Sequence, residues 1–416
     1  MRRQRGLLGL TGVAALVGLG MISKPTVAAV TTEKSASILV FPKVIANGAR
    51  DTIIQITNTS NTMRHAHCFY VNGALGSTVD GQPCSILSPS CQPLCTEIDF
   101  DIWLTKQQPT HWVVSRGRQI FPNDETCQGP VAGSIRPCDP ATSGGPGVGI
   151  GQADCCDAGF DPGRVPPVVP DFTGELKCIE VDADGAPVPG DSLKGEATLV
   201  DPITGDVSKY NAIGLKGFNQ NDRNNVLCLG GGSNPDLGCP EGAEYEACPL
   251  TWLIDHPANG APDLVVGEAF CTGADTCGSS IDTTLTVVPC TENFETQHPV
   301  PVTLQFNITN EFEVSFSAST TISCWSSLSL PEINPIFAAG NLGGQIVQTK
   351  MRSTAGVQRG VMAVIEETHT ANRTAGGAST TLSATAAQNV HTSFQNQAGP
   401  DVLTIPGDQI TPPEQP

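Results

Sequence analysis

Basic side chains are scarce in this chain of 416 residues, which has 22 Lys and Arg against 41 Asp and Glu and a formal net charge of −19 at pH 7. A surface of that sign repels the phosphates of nucleic acids and of anionic lipids. The composition therefore predicts no nucleic-acid partner and no binding to an anionic membrane surface.

Long apolar runs are also rare, and the N-terminal one is too short to cross a membrane. Residues 1–29 contain three arginines, then about fifteen mostly apolar residues, then the small residues Val27, Ala28 and Ala29, an order typical of a secretory signal peptide. A membrane-spanning helix needs roughly 20 apolar residues. We expect cleavage after Ala29 and a secreted, periplasmic or cell-surface product, with no membrane insertion after cleavage.

The 16 cysteines include no Cys-x-x-Cys pair, a spacing common in redox and zinc sites. An even number of cysteines in an exported chain indicates disulfides. Their share, about 4%, is well below that of a small disulfide scaffold, so we expect bridges that staple loops to an existing core. Cys271 and Cys277 bracket five residues of a small loop. Pairing between sheets is expected for the cysteines in or beside strands, Cys68, Cys178, Cys290 and Cys324.

Few segments have a helical repeat, and alternation with period two dominates instead. The clearest case is 302–316, where Val302, Leu304, Phe306, Ile308, Phe312, Val314 and Phe316 fall on one face of a strand. Because this parity is kept across Asn310, we expect either a long bent strand or a loop of odd length there.

Further strands are predicted, separated by turns rich in the 44 Gly and 33 Pro, at 37–44, 51–59, 67–73, 100–106, 111–117, 174–181, 195–201, 283–290, 359–367 and 401–406. Residues 376–389 fit a strand, a short helix or a flexible linker equally well. Many short strands between such turns predict an all-β protein of antiparallel immunoglobulin-like or jelly-roll-like sandwich domains with disulfide-stapled loop insertions.

The predicted domain division follows the composition. After the signal peptide come an N-terminal β-sandwich segment at 33–121, a Cys/Gly/Pro-rich insertion at 122–170, a central β-sandwich at 171–330 with a Cys-rich insertion at 219–280, and a C-terminal β segment and tail at 331–416. A loop near fifty residues is unusual inside a compact domain, and cross-linking is a physical way to hold it.

Several segments also carry a resemblance to known proteins. Residues 37–73 run as a strand, a turn, a strand ending in Asn-Thr-Ser and a return strand, and resemble the opening of immunoglobulin-like modules in bacterial surface and periplasmic proteins. Over most of the mature length, as in "AHCFYVNG", "GELKCIEVD" and "CTENFE", the chain resembles a set of exported bacterial β-rich proteins without an assigned activity. The resemblance implies export and β structure, and it transfers no site residues.

The stretch "EVDADGAPVPGDS" spaces carboxylates like a calcium-binding loop. Glu180, Asp182, Asp184 and Asp191 stand where an EF-hand loop places several of its oxygen ligands, with Gly185 at its sixth position. The prolines that follow Gly185 forbid the helix that such a loop needs. A tight hairpin turn through the Asp-Gly pair is therefore the favoured interpretation, and a calcium ion bound by these four carboxylates is the alternative cofactor hypothesis.

The same stretch runs into Gly190-Asp191-Ser192-Leu193, which resembles the nucleophile block of the GDSL hydrolases. A serine nucleophile needs a base, and that family supplies it from an Asp-x-x-His sequence. No histidine here follows an Asp at that spacing, and the nearest substitutes are Glu295 before His298 and Glu366 before His369. We therefore interpret the block as a turn.

Three further groups of residues have a simpler structural interpretation. His65 and His67 share one face of a strand while Cys68 points to the other, so we expect two surface imidazoles and a disulfide cysteine rather than a metal site. Isolated tryptophans in strands are more often core than a sugar-stacking platform. The Asn-x-Ser/Thr sequences at Asn58, Asn307 and Asn372 have meaning only if the host glycosylates its proteins.

No complete catalytic constellation emerges from the sequence. The prediction is an exported non-catalytic structural or recognition protein of the periplasm or cell surface, which binds an unidentified surface or envelope partner through its long disulfide-tied loops. A secreted hydrolase with an unrecognised site and a calcium-dependent binding or adhesion module are the alternatives.

Overall fold

A computed structural model describes residues 30–77, 91–118, 165–220, 224–263, 270–298, 300–354, 359–392 and 401–407. Within these ranges strands dominate and helices are short, which confirms the all-β prediction. No helix in these ranges has the length and apolarity to cross a bilayer.

The first eleven strands build one sandwich. They are β1 Ile38–Ala46, β2 Asp51–Asn58, β3 Arg64–Asn72, β4 Leu75–Ser77, β5 Cys91–Pro93, β6 Thr96–Leu104, β7 Pro109–Val113, β8 Phe172–Val181, β9 Leu193–Val200, β10 Val207–Asn211 and β11 Ile213–Leu215. Apart from the β4–β5 pair, they form a nine-stranded antiparallel sheet. Because only Ala46 and Asp51 pair between β1 and β2, the sheet bends at that corner. One layer is then β7, β2, β9 and β10, and the other is β11, β1, β8, β3 and β6.

Side chains from both layers fill the core between them. Trp112 on β7 donates its indole N–H to the Tyr70 hydroxyl on β3 at 2.6 Å, and Phe100 packs edge-on against Trp112. The opposite face of the β1–β8–β3 layer is buried as well, because Val40, Phe69 and neighbouring residues join the core of the following part of the chain. This double burial explains why every residue of β1 is buried and why its sequence is almost continuously apolar.

The remaining strands form a second sandwich and a small accessory sheet. They are β12 Val226–Leu229, β13 Thr251–Pro257, β14 Thr276–Pro289, β15 Glu292–Asn293, β16 Val302–Asn310, β17 Ser315–Ile322, β18 Ser326–Ser329, β19 Ile346–Thr354, β20 Val361–Ala375, β21 Ala378–Asn389, β22 His391–Thr392 and β23 Asp401–Thr404, with single helical turns α1 Leu330–Ile333 and α2 Ala339–Leu342. The sheet orders are β17-β16-β19-β13-β22, β18-β14-β20-β21 and β12-β23-β15. All pairs are antiparallel except the short β15–β23 pair.

The two sandwiches are tied together at several points. The Cys95–Cys324 disulfide joins residues that are 229 positions apart. The indole N–H of Trp325 donates to the Pro42 carbonyl at 2.9 Å. On another side, Thr385 of β21 donates its backbone N–H to Asp206 at 2.8 Å.

The predicted strands are all present, and the structure decides between the alternatives that the sequence leaves open at two places in the second sandwich. Residues 302–316 are not one bent strand, because β16 and β17 enclose a loop of odd length between the Thr309–Ser315 pair. The Asn310 carboxamide oxygen accepts the N–H groups of Phe312 and Val314, which turns the chain and leaves both apolar side chains exposed. Residues 378–389, left open between strand, helix and linker, are strand β21.

Strand pairing differs from the predicted domain division. Strands on both sides of the insertion at 122–170 share the first sandwich, because β8 pairs with β1 and β3. The boundary predicted at 171 therefore runs through one sheet. Residues 122–164 of that insertion lie outside the described residues, as do 1–29 with the predicted signal peptide.

Five disulfides lie within the described ranges, which confirms the disulfide prediction. They join Cys68 to Cys178, Cys95 to Cys324, Cys228 to Cys239, Cys248 to Cys290 and Cys271 to Cys277. The Cys68–Cys178 bridge does not connect two sheets as expected. It links directly opposed residues of the neighbouring strands β3 and β8.

Candidate functional site

Asp182 to Gly185 form the tight turn that the sequence predicts. The Asp182 carboxylate accepts the N–H groups of Asp184 at 2.9 Å and Ala186 at 3.0 Å, and Gly185 has a φ of +81°. Val181 and Pro187 pair across the turn. An Asp that accepts hydrogen bonds from its own turn in this way makes an Asx-turn, which needs no bound ion.

Glu180 points into the protein rather than towards that turn. Its side chain is fully buried, accepts the Ser192 N–H at 3.1 Å and lies 3.3 Å from an Arg64 nitrogen. Burial raises the pKa of Glu180, while Ser192 and Arg64 act in the opposite direction. A Cβ on Gly190 would lie 1.9 Å from a Glu180 oxygen, so a larger residue there would displace the Glu180 carboxylate.

Asp191 makes a third, separate set of contacts. One carboxylate oxygen accepts the Ser37 hydroxyl at 2.8 Å and the Gly217 N–H at 2.9 Å. Asp191 thereby ties the end of the stretch to the residue before β1 and to the chain after β11. The residues of the Gly-Asp-Ser-Leu block thus have structural contacts, with Gly190 and Ser192 against Glu180 and Asp191 against Ser37.

The described part of the chain contains no group of three or more His, Cys, Asp or Glu side chains that could hold a metal ion. Glu180, Asp182 and Asp191 each have different hydrogen-bond partners, and Asp184 lies on the exposed turn. Calcium binding by these four residues stays an alternative hypothesis to the bare turn, with no ligand cluster in the described ranges to support it.

The histidines of the hydrolase alternative also have separate roles. Glu366 and His369 project from opposite faces of β20, where Glu366 binds Lys43 and His369 lies 2.9 Å from Asp263. Glu295 instead accepts from Asn225. His298 lies 2.9 Å from the Thr296 carbonyl. Ser192 is buried, so its hydroxyl is not presented to solvent.

His65 and His67 are buried, which corrects the expectation of surface imidazoles. They do share one face of β3, while Cys68 lies on the other in its disulfide, as predicted. The two ring nitrogens of His65 lie 2.9 Å from the Asp182 carbonyl and 2.7 Å from the Asp101 carboxylate, and its ring stacks on Trp103. Both ring nitrogens therefore contact structural partners rather than a hydroxyl nucleophile.

A row of carboxylates that was not predicted from the sequence lies beside these histidines. Glu97, Asp99 and Asp101 alternate along β6 and face the same side as His65 and His67 on β3. His67 lies 3.3 Å from Asp99. The sequence does contain a signal for this row. In "TEIDFDIWL" one face of the strand is apolar, and the other face carries the three acids at alternate positions.

The row continues into a buried ion group between the sandwiches. The Lys177 ammonium on β8 lies 2.8 Å from Glu175 and contacts Glu292, with Phe294 5.8 Å away. Glu175 is fully buried, and this burial raises its pKa well above the usual range despite the charge of Lys177. Burial, followed by the charges of Asp99 and Glu292, raises the pKa of Glu97 to about 8.

A small cavity adjoins this group. Its lining includes Glu97, Glu292, Gln297, His298 and the Cys95–Cys324 disulfide, and its volume is about 10 Å³. That is room for about one water molecule. The arrangement can hold protons and a water at the joint between the sandwiches, and it is too small for an organic substrate.

Comparisons with known proteins give no family. No family model matches the chain, and no curated protein matches its sequence. Among solved structures, the apo form of a lectin from Pleurotus ostreatus aligns over 94% of this chain and 92% of its own, at 10% identity and a TM-score of 0.14. A TM-score this low supports no argument about fold or function.

Proposed function

We propose that the protein is exported and acts without catalysis, as a structural or recognition protein of the periplasm or cell surface. Its partner is a component of the surface or envelope. The long cysteine-rich loops are its contact elements.

The cysteine chemistry supports export. Every cysteine in the described ranges is disulfide-bonded. Disulfides persist in oxidising compartments and are rare in a reducing cytosol. The predicted signal peptide at 1–29 is consistent with the same destination.

The proposed recognition role rests on how two loops leave the first sandwich, because the two ends of each loop pair with each other. The chain departs after Ser77 and rejoins at Cys91, and these two residues pair as β4 and β5. It departs again after Arg118 and rejoins at Val165, and these residues exchange two backbone hydrogen bonds of 2.8 and 3.0 Å.

Residues 78–90 and 119–164 themselves lie outside the described residues. Because the ends of each loop already meet, strand pairing in the sandwich does not depend on what lies between them. Long loops held by a rigid scaffold are often where binding residues lie. A recognition role for these two loops follows from that reasoning.

Two measurements test the proposal. Fractionation of the host with N-terminal sequencing should find the protein outside the cytoplasm, beginning near Val30 and without free thiols. A full-length cytoplasmic protein with reduced cysteines would contradict export. Chromogenic ester, peptide and glycoside substrates should show no turnover, whereas turnover that co-purifies with the chain would favour the hydrolase alternative.

A further inference from the structure

Strand β21 is an open sheet edge. Its first seven residues, 378–384, are all exposed, and within the described ranges no strand pairs with the side that faces away from β20. At one end the strand begins after a turn at Gly376 and Gly377, which have φ values of +57° and +81°. Residues 378–384 thus form the outermost strand of the sheet β18-β14-β20-β21, exposed on both faces.

The register shows which backbone groups point outward. The two-residue turn is closed by the Ala375–Ala378 pair, whose N–H and C=O groups face each other in such hairpins. Antiparallel strands alternate from there, so the groups of Ser379, Thr381 and Ser383 point away from β20. The next residue in that phase, Thr385, confirms this, because its N–H donates outward to Asp206 at 2.8 Å.

This edge lacks the features that protect exposed edges. Charged side chains, prolines and bulges on an edge strand prevent pairing with another chain. Edge strand β6 carries Glu97, Asp99 and Asp101, whereas residues 378–384 contain neither charge nor proline. The absence is informative in a chain with a net charge of −19.

We propose that β21 pairs with β21 of a second copy of this chain, antiparallel across a two-fold axis at Thr381. The open segment, residues 378–384, lies between the Gly376–Gly377 turn and Thr385, whose N–H donates to Asp206. Thr381 is therefore its midpoint. The two-fold places Ser379 of one copy opposite Ser383 of the other, and Thr381 opposite Thr381. Each of these pairs exchanges two N–H···O=C bonds.

The choice of a second copy rests on symmetry and charge. The outward N–H and C=O groups of Ser379, Thr381 and Ser383 are arranged symmetrically about Thr381. A contact between identical surfaces of two copies requires this symmetry, whereas pairing with a strand of another protein does not. Self-pairing brings no like charges together, because the segment has none. The exposed Leu382 of each copy lies diagonal to its counterpart, within contact range across the strands.

A second uncharged edge, β17, provides the control. One face of β17 packs on the core through Ala318 and Ile322, whereas the open segment of β21 is exposed on both faces. Ser319 on β17 is exposed and comparable in size to Thr381. A lysine at each position therefore makes a matched pair of variants.

Sedimentation equilibrium of the mature chain tests the proposal. The wild type should be a dimer at micromolar concentration. Thr381→Lys places two ammonium groups opposite each other, and Thr381→Pro removes an N–H that the β20 ladder does not use. Both should raise the dimer dissociation constant at least about tenfold, which corresponds to 1.4 kcal/mol. Ser319→Lys should leave it unchanged.

Hydrogen exchange distinguishes loss of the dimer from loss of the fold in these variants. The amides of Ser379 and Ser383 should exchange more slowly in the wild-type dimer than in Thr381→Lys, while the amides of β20 remain protected in both. A monomeric wild type, a dimer that both Thr381 variants leave intact, or dissociation by Ser319→Lys would overturn the proposal. If the protein is a monomer, and the amides of Ser379 and Ser383 exchange more slowly only when another protein is added, the edge pairs with a strand of that protein instead.

Discussion

Lys43 on β1 and Glu366 on β20 form an ion pair of 2.7 Å in which each side chain is only 4% exposed. Arg50 approaches the same carboxylate with two nitrogens at 2.5 and 2.9 Å, and Ser208 donates to it at 3.0 Å. Burial alone would raise the pKa of Glu366, but the hydrogen bonds and charges of Arg50 and Lys43 hold it at about 2. This one carboxylate therefore fastens the second sandwich to the first.

Replacing Glu366 tests this joint. Glu366→Gln leaves two cations near one amide, and breaking one side of a buried ion pair costs about 3–5 kcal/mol. Urea denaturation at pH 7 should show a loss of that size. Glu196→Gln is the matched control, because its pair with Lys209 is partly exposed and contributes about 0–1 kcal/mol. Equal losses in the two variants would contradict the role assigned to Glu366.

Glu97 should give the protein a pH dependence that acids of ordinary pKa do not give. Its folded pKa of about 8 exceeds the ordinary value of 4.5, so the folded state holds the proton over that interval. The stabilisation of the folded state by protonated Glu97 is complete below pH 4.5 and is lost as the pH rises through 8. Melting temperatures across this range should fall less steeply in Glu97→Gln than in the wild type. The exposed Glu241→Gln should retain the wild-type slope, and an identical slope in Glu97→Gln would contradict the prediction.

The Cys95–Cys324 bridge should contribute more stability than a short local one. It closes a loop of 229 residues, against 6 for Cys271–Cys277. In the chain-entropy model a bridge that closes a longer loop stabilises the folded state more, within a general range of about 2–5 kcal/mol. Replacing both partners of each bridge by alanine and measuring unfolding in guanidinium tests this order. A larger loss from the Cys271–Cys277 pair would reverse it.

Calcium should leave the melting temperature unchanged. The Asp182 carboxylate accepts hydrogen bonds from its own turn, and Glu180 faces inward. A bound ion would stabilise the folded state by mass action. A rise in melting temperature with calcium but not with magnesium, abolished by Asp184→Ala, would instead establish the calcium-dependent alternative.

Strands with one buried face were predictable from alternation, and β2 with its strict alternation of burial is the plainest example. The sequence could not show that Phe312 and Val314 leave the core, since that depends on hydrogen bonds to Asn310. It predicted the Asp182–Gly185 turn because Asp-Gly has local turn chemistry. It could not show that Glu97 lies beside Glu292, Gln297 and His298, because those residues come from a part of the chain more than a hundred residues away.

Removal of residues 119–164 tests most directly whether this loop is a contact element. Arg118 and Val165 already pair, so residues 119–164 can be replaced by an Asn-Gly turn without changing the strand register. The mature wild type should co-sediment with isolated envelopes of the host, and the loop-replaced chain should stay in the supernatant with its melting temperature retained. Equal envelope binding by two equally stable proteins would contradict the proposal that this loop is a contact element.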